Sequence, residues 1–382
     1  MIYFPFWIAT SVIISIFSYA FVDVNLRLTD NPIFQAILSQ LAISMRSYRM
    51  QTAGIFILIL LCLFVLWWKT IQSVHPEKYG YRQFLSRTVI VCALLILSYP
   101  FLSYDLFNYI ATSKVAFAWH ENPYVVMPIE IYNDPNLAFT RAANKVALYG
   151  PAWLLLTWIP HTLGMGNIWQ TIIAFKCITA LFYFGMSYLI WHITKKMQNV
   201  IFFALNPLIL IEVLVSGHND IVMMVLACVG LLLWQKKEWV NRLVGLCMFT
   251  LSIFIKGATI VLLPLLFFRK TTYSRLMCIV SCLLFLVFIV FAPVREELYP
   301  WYAVWFLSAA AFLPYSKYAR VWQFCIAVSI GLELRHVPYM AMGYYEGPGP
   351  VLRIVLTIIP VVLWICYNVY NYYKNYNIYK NA

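Results

Sequence analysis

The residues best suited to chemistry are polar side chains that directly follow long apolar runs. The segment Ser103–Lys114 follows such a run and has helical periodicity, with Asp105, Asn108 and Thr112 on its polar side. A carboxylate placed there can act as a general base. It can equally do no more than complement the helix dipole from the first turn. Helix physics alone leaves both interpretations of Asp105 open.

A second group lies farther along the chain, where Asn206-Pro207 interrupts an apolar run that ends in Ser216-Gly-His-Asn-Asp220. Proline inside a helix predicts a kink. Glu212 lies near the end of the same run, where a carboxyl group is costly unless it is paired or functional. Gly217–Asp220 can be a simple turn with a helix cap. The combination of imidazole, amide and carboxylate favours a functional site.

Two short motifs separate these groups. Asn122-Pro123-Tyr124 and Tyr149-Gly150-Pro151 contain turn formers, and tyrosine suits the headgroup zone of a membrane, so a structural role is the default for both. His120 and Glu121 are further acid/base candidates.

Five cations could hold an anionic ligand such as a phosphate: Lys176, Lys256, Arg295, Arg335 and Arg353. Lys176 would lie roughly 12 Å along its helix from the nearer end, at 1.5 Å per residue, which is deep for a charge. Lys256 stands at a helix end, where snorkelling also explains it. No carboxylates cluster with the spacing of a metal site, so neither a metal nor another cofactor is predicted.

The elements that must position these residues are membrane helices. Of the 382 residues, 63% are hydrophobic and only 11% are charged, against roughly 25% charged in a soluble domain. The net charge of +13 comes from short basic clusters between apolar runs, which is not the pattern of a nucleic-acid-binding surface. Membrane lipids, and no nucleic acid, are the predicted surroundings.

The apolar runs predict an all-α polytopic bundle of about twelve spans, because backbone groups in hydrocarbon must be satisfied within helices. The predicted spans are 2–22, 53–71, 87–104, 168–194, 198–216, 220–235, 240–256, 257–269, 274–293, 301–314, 318–333 and 351–372. The segment Ala152–Met165 is short and contains Pro160, which indicates a half-inserted or surface helix.

Basic clusters recur at every second connection, which predicts that these connections and both termini are cytoplasmic. The clusters contain Lys69, Lys78, Arg82, Arg87, Lys195, Lys196, Lys236, Lys237, Arg242, Arg269, Lys270, Arg275, Lys317, Arg320, Lys374 and Lys380. The opposite, extracytoplasmic face then receives loops at 23–52 and 105–150, together with the candidate residues described above. Three regions follow: N-terminal spans (1–104), an extracytoplasmic loop with interfacial and half-inserted helices (105–167), and a C-terminal bundle (168–382).

The order of these features resembles the GT-C superfamily of integral membrane glycosyltransferases, and is most similar to the polyprenyl-phosphate-mannose-dependent mannosyltransferases. The resemblance covers about Tyr104 to Tyr302. It rests on Asp105, Asn122-Pro123-Tyr124, Tyr149-Gly150-Pro151, Asn206-Pro207 with Glu212, Gly217-His-Asn-Asp220, Lys256 followed by an apolar run with Pro264, and Pro300-Trp301-Tyr302.

The resemblance implies an extracytoplasmic active site that transfers mannose or another hexose from a polyprenyl phosphate to a glycan, lipid or protein acceptor. It implies that Asp105 is the base or the acceptor-positioning residue, and that Lys256, Arg295 or Lys176 binds the donor phosphate. The substrate-binding candidates are Asn108, Tyr109, Asn122, Tyr124, Tyr149, Glu212, His218, Asn219, Asp220, Trp301 and Tyr302.

Two other functions fit parts of the sequence. A transporter or flippase of lipid-linked sugars would use deep charges such as Lys176 and Glu212 and a helix broken at Pro207. The long polar loop from Asp105 to Gly150 and the gathering of polar groups near one face argue against it. A non-catalytic subunit of a glycosylation complex is the third alternative, against which Asp105 argues.

Overall fold

The computed structural model describes residues 3–23, 26, 28–29, 31–73, 80–131, 134–295, 297–344 and 346–380. This part of the chain consists of helices joined by turns and loops and contains no strand. The predicted all-α class is confirmed. Lys78 and the side chains of Arg295 and Lys380, which were assigned roles from the sequence, lie outside the described residues.

The helices follow one another along the whole chain. In the described residues the α-helices are α1 (Phe4–Ser18), α2 (Pro32–Ser47), α3 (Arg49–Ser73), α4 (Tyr81–Ile96), α5 (Asp105–Phe117), α6 (Pro151–Leu163), α7 (Ile168–Thr194), α8 (Met197–Ala204), α9 (Pro207–Val215), α10 (Asp220–Trp234), α11 (Trp239–Ile255), α12 (Tyr273–Arg295), α13 (Ala303–Ala310), α14 (Tyr315–Leu334), α15 (Val337–Met342) and α16 (Gly349–Lys380). Short 3-10 helices occupy Tyr19–Phe21, Pro128–Glu130, Pro135–Phe139, Gly257–Phe267 and Pro300–Tyr302.

Several helices are suited to crossing a bilayer. Among the described residues, five are long and apolar enough: Phe4–Phe21, Arg49–Ser73, Ile168–Thr194, Tyr273–Phe291 and Gly349–Lys374. The pair α8–α9 makes six if it is one bent span. Helices α10 and α11 and the 3-10 helix Gly257–Phe267 are apolar but shorter. The chain is an integral membrane protein, but the predicted count of about twelve spans is not confirmed.

The predicted outer loop at 23–52 contains a helix that the hydropathy pattern missed. Helix α2 begins at Pro32, and the Asn31 side chain accepts hydrogen bonds from the backbone N–H groups of Ile33 and Phe34, both at 3.1 Å. An asparagine cap followed by proline is a strong helix start. The prediction of a loop is therefore wrong for this segment, because a moderately polar amphipathic helix fails a test based on hydropathy alone.

The segment predicted to be half-inserted forms helix α6, which contains 13 residues with Pro160 near its end. A span needs about 20 residues, so α6 is too short to cross by itself. It packs against α5 and α7. Its N-terminus is thereby held beside the helix that begins with Asp105.

The predicted break at Pro207 is confirmed. Helices α8 and α9 are bent by 51° at the break. The Asn206 side chain accepts a hydrogen bond from the backbone N–H of Leu208 at 3.0 Å and so caps the second segment. Residues Leu210–Val215 are π-helical, and such turns often occur where a side chain is redirected for function. Glu212 lies in this turn.

Candidate functional site

Helix α5 places Asp105 at its first residue, as the helical pattern predicts. The Ser103 hydroxyl accepts a hydrogen bond from the backbone N–H of Asp105 at 3.2 Å, which fixes the start of the helix. The opposite side of α5 buries Leu106, Tyr109 and Ile110. The Asp105 side chain remains 22% exposed, so part of it can be reached by a ligand.

The turn after α9 brings a buried histidine to this carboxylate. His218 Nδ1 lies 3.5 Å from Asp105 Oδ2, and its Nε2 lies 3.2 Å from Glu212 Oε2. Gly217 precedes the histidine with φ +77, and a Cβ there would come within 2.5 Å of the Leu106 side chain. The glycine therefore permits both the left-handed turn and the close approach of α5.

Trp301 supports the histidine from behind. Its ring stacks on the imidazole at a centroid distance of 4.2 Å and on Tyr299 at 4.4 Å. These two stacks occupy much of the indole surface, and Trp301 is only 8% exposed. Its placement therefore indicates support of His218 more directly than contact with a substrate.

The pKa values of Asp105 and His218 are set by burial and by neighbouring charges. Burial alone would lower the pKa of His218, but Asp105 and Glu212 outweigh it and raise the pKa to about 9. Burial would raise the pKa of Asp105, but His218, Lys256 and Tyr149 hold it below its ordinary value. At neutral pH the pair is therefore an imidazolium and a carboxylate.

A second carboxylate lies two residues beyond the histidine. Asp220 begins α10 and is fully buried, with its Oδ1 2.9 Å from Lys256 Nζ. The same oxygen accepts a hydrogen bond from the Trp305 indole N–H. Lys256 also lies over the Tyr302 ring at 4.5 Å and the Trp305 ring at 5.6 Å. Its side chain is 19% exposed, so the ammonium borders the site.

Two tyrosines, Tyr109 and Tyr149, connect helix α5, which carries Asp105, with the turn that carries Asn219. The Tyr109 hydroxyl donates to Asn219 Oδ1 at 3.3 Å, and its ring meets that of Tyr149 at 4.6 Å. Tyr149 also interacts with Asp105 and Asn108. A Cβ on Gly150 would come within 2.0 Å of the Phe254 carbonyl oxygen. Only glycine fits there, and this close contact holds Tyr149 near the end of α11.

A groove with an empty volume of about 200 Å³ lies beside these tyrosines. Its lining includes Tyr109, Thr112, Tyr149 and Trp153. It runs along the side of α5 and does not itself include Asp105.

Three other predicted residues make hydrogen bonds in and beside the loop around Asp105. Asn122 Oδ1 accepts a hydrogen bond from the Tyr124 backbone N–H at 3.0 Å, and the Tyr124 hydroxyl donates to the Tyr149 carbonyl at 2.9 Å. Asn108 Oδ1 accepts from the Thr140 hydroxyl, and its Nδ2 lies 3.5 Å from Asp105 Oδ1. Asn108 therefore adjoins the carboxylate, while Asn122 and Tyr124 shape the loop around it.

The predicted phosphate role of Lys176 is not supported. Its side chain is 0% exposed, and its ammonium donates to the Ser98 carbonyl at 2.5 Å and the Ser98 hydroxyl at 3.0 Å. A side chain buried in this way cannot reach a lipid phosphate. It stabilises the loop after α4 instead.

Two site residues were missed in the sequence. Glu333 at the end of α14 and His336 just after it converge on Glu212, and one ligand atom from each of the three lies within 4.8 Å of the others. The sequence-based expectation of no metal relied on carboxylate spacing along the chain, which cannot reveal this group. The spacing Glu333-Leu-Arg-His336, which puts both side chains on one helical face, was the available signal.

Comparison with known proteins gives two findings. Residues 8–272, more than half of the chain, match the family described as alpha-(1->6)-mannopyranosyltransferase, N-terminal domain. The chain is also 26% identical over 192 residues to alpha-(1->6)-mannopyranosyltransferase A of Mycobacterium tuberculosis, a match that covers 47% of this chain and 35% of that relative. The chain thus spans about a third of that relative's length. No solved structure matches significantly.

Proposed function

Because this chain belongs to the alpha-(1->6)-mannopyranosyltransferase family, we propose that it is a membrane glycosyltransferase of the GT-C type. It transfers mannose from a polyprenyl-phosphate donor to an extracytoplasmic acceptor. The name of the family makes the 6-hydroxyl of an acceptor hexose the first nucleophile to test. Acceptors on glycans, lipids or proteins are all compatible with an open carboxylate.

One observation carries the proposal: Asp105 is a partly exposed carboxylate beside a buried imidazolium. A sugar hydroxyl is a poor nucleophile at neutral pH, and an ionised carboxylate within hydrogen-bond reach assists its attack. The two contacts that Asp105 makes to side-chain nitrogens, with His218 and Asn108, are both 3.5 Å long. The Tyr149 hydroxyl also bonds this carboxylate, and the partial exposure of the side chain leaves room for one more hydrogen bond, from a substrate.

The transfer is a single displacement. The acceptor oxygen forms a bond to the anomeric carbon of mannose as the bond from that carbon to the donor phosphate oxygen breaks. Asp105 takes the hydroxyl proton, and the polyprenyl phosphate leaves with the bonding electron pair. Since this leaving group is already a stable anion, one essential carboxylate suffices. His218 and Glu212 hold the base in position.

Lys256 is the group proposed to meet the donor phosphate. One of its three donors is directed at Asp220, and its partly exposed position leaves the others available. A cation at this point stabilises charge that develops on the departing phosphate. Tyr302 and Trp305 fix the ammonium by their ring faces.

The proposed orientation places α5 and the turn before α10 outside the membrane, with both termini in the cytoplasm. Basic residues at the other connections support it. Reporter fusions after Asn136 and after Lys236 should report opposite sides of the membrane. If both reporters lie on one side, this orientation is wrong.

The activity is tested in vesicles that contain the purified full chain, labelled mannosyl phosphoryl polyprenol and a mannose-containing acceptor glycan. We expect label to pass to the acceptor, and nucleotide-linked mannose to give no transfer. If the protein carries the labelled lipid across the bilayer without transfer, the proposal fails and the chain is a flippase.

A further inference from the structure

Glu212, Glu333 and His336 form a compact group of metal-ligating atoms behind the proposed catalytic pair. One oxygen or nitrogen from each residue lies within 4.8 Å of the other two. Glu212 Oε1 is 3.7 Å from His336 Nε2. Ligand atoms around a single cation at 2.0 to 2.4 Å are separated by roughly 3 to 5 Å, so these three are spaced as ligands of one ion.

Different elements bring the group together. Glu212 comes from the π-helical turn of α9, while Glu333 and His336 come from the last turn of α14 and the residue after it. The Glu-x-x-His spacing directs both side chains to one face, as in helix-borne metal sites. The π-helical turn redirects Glu212 toward that face.

Most ligand atoms in this group have no hydrogen-bond partner in the described part of the chain. These atoms are both oxygens of Glu212, both oxygens of Glu333 and Nε2 of His336. Glu212 and Glu333 are each 0% exposed. A buried carboxylate without hydrogen bonds is costly, and two neighbouring ones cannot both stay ionised unless a cation neutralises them or they share a proton.

Nearby cationic groups solve this problem for Glu212, which faces His218 and His336, but not for Glu333. Arg335 lies between Glu333 and His336 in the chain, but its guanidinium is directed to Glu297 at 2.7 Å. Arg353 binds the same carboxylate at 2.9 Å. His218 contacts only the second oxygen of Glu212. Glu333 is therefore left without a positive partner among the described ion pairs.

We propose that Glu212, Glu333 and His336 bind a divalent transition-metal cation, Mn²⁺ or Zn²⁺. Two carboxylates and one imidazole form a mixed oxygen and nitrogen donor set that suits these ions. His336 is 17% exposed and supplies an entry path. The ion neutralises the neighbouring carboxylates and supplies the positive partner that Glu333 lacks among the described ion pairs.

The site adjoins the proposed catalytic pair without being part of it. Glu212 offers Oε1 to the metal group and Oε2 to His218, whose other nitrogen faces Asp105. A bound cation fixes the orientation of Glu212 and, through it, the imidazole. Metal binding itself does not depend on the transfer reaction, so the two proposals fail separately.

The test uses the purified full chain in detergent, stripped with a chelator and then exposed to Mn²⁺ or to Zn²⁺ in separate samples. Elemental analysis after desalting should find about one ion per chain for one of the two cations. The melting temperature should rise by several degrees when that ion is restored.

Glu333→Gln keeps the shape of the side chain but removes its charge, and His336→Ala removes a ligand. Both should weaken binding of the ion at least about tenfold. Glu238→Gln, at an exposed acidic residue between α10 and α11, is the matched control and should bind like the wild type.

Two results would overturn the metal site. In one, the wild-type chain retains neither ion and melts at the same temperature with and without them. In the other, Glu333→Gln retains as much metal as the wild type. Because the wild-type titration decides by itself, the proposal stays testable even if a variant fails to fold.

Discussion

The two carboxylates of the site, Asp105 and Asp220, are held in contrasting ways. Asp105 is 22% exposed, and its two contacts with side-chain nitrogens are 3.5 Å long. Asp220 is fully buried and is bound by Lys256 at 2.9 Å and by the Trp305 indole. Two tight contacts on one buried oxygen, Oδ1, suit a structural anchor, whereas longer contacts and partial exposure suit a group that must accept a proton. The difference separates the proposed base from the residue that organises the site.

The largest expected effect is on the loosely held carboxylate. Asp105→Asn should lower the transfer rate by about 10²- to 10⁴-fold, because the amide cannot take a proton. Its melting temperature should fall less than that of Asp220→Asn, since Glu212 still faces the His218 imidazolium. Initial rates and thermal melting in detergent measure both quantities. Glu238→Gln, at an exposed residue before α11, is the control, and a normal rate for Asp105→Asn would remove Asp105 from catalysis.

A change at Asp220, the structural anchor, should lower stability more than a change at Asp105 does. Asp220→Asn leaves Lys256 without its carboxylate, and a broken buried pair costs about 2 kcal/mol when one partner keeps some solvent. The melting temperature should fall clearly. The double variant Asp220→Asn with Lys256→Met should recover part of this loss, because no unpaired charge remains. If the Asp220→Asn protein melts like the wild type, Asp220 is not a structural anchor and does not differ from Asp105 in this respect.

Substitutions of Lys256 test whether this residue binds the phosphate of the lipid donor. Lys256→Ala should raise the KM for the lipid donor about tenfold, since a cation that binds phosphate is removed. Lys256→Arg should keep most of the affinity because it keeps the charge. Lys145→Ala, an exposed lysine of the outer loop, is the control. A KM that is unchanged in Lys256→Ala would take this residue out of the phosphate site.

The smallest effect concerns pH. Because the pKa of Asp105 is held below its ordinary value, the carboxylate stays ionised as pH falls and its basic form persists to acid conditions. The kcat of transfer should therefore change less than about twofold between pH 5 and 7. An acidic limb centred near pH 6 would indicate that a different group is the base.

Long helices with clear boundaries were predictable from the sequence. The predicted span 168–194 coincides with α7, because Asn167 caps its start and Lys195 adopts the left-handed conformation at its end. The break at Asn206-Pro207 was also readable, since proline removes a helical hydrogen bond. Helix α2 was not predicted, because a test based on hydropathy alone does not detect an amphipathic helix, even one that starts with a capping residue.

The site was predictable only in part. The residues Asp105, His218, Asp220 and Lys256 were identified, and the structure does bring them together. The sequence does not show that Asp220 is held tightly and Asp105 less so. That difference depends on side-chain geometry, including the contact between Trp305 and Asp220. Glu333 and His336 meet Glu212 through tertiary packing alone. Lys176 was predicted to bind a phosphate because it lies deep along its helix. The sequence could not show that its nitrogen already donates to two oxygens of Ser98.

The most direct test of the central claim separates binding from chemistry in Asp105→Asn. Donor affinity is measured by equilibrium binding of labelled lipid, and the chemical step by single-turnover transfer from the bound complex. We predict donor affinity within about twofold of the wild type and a single-turnover rate at least about 100-fold lower. Weakened donor binding with a normal single-turnover rate would contradict the account, because Asp105 would then hold the substrate and not promote its reaction.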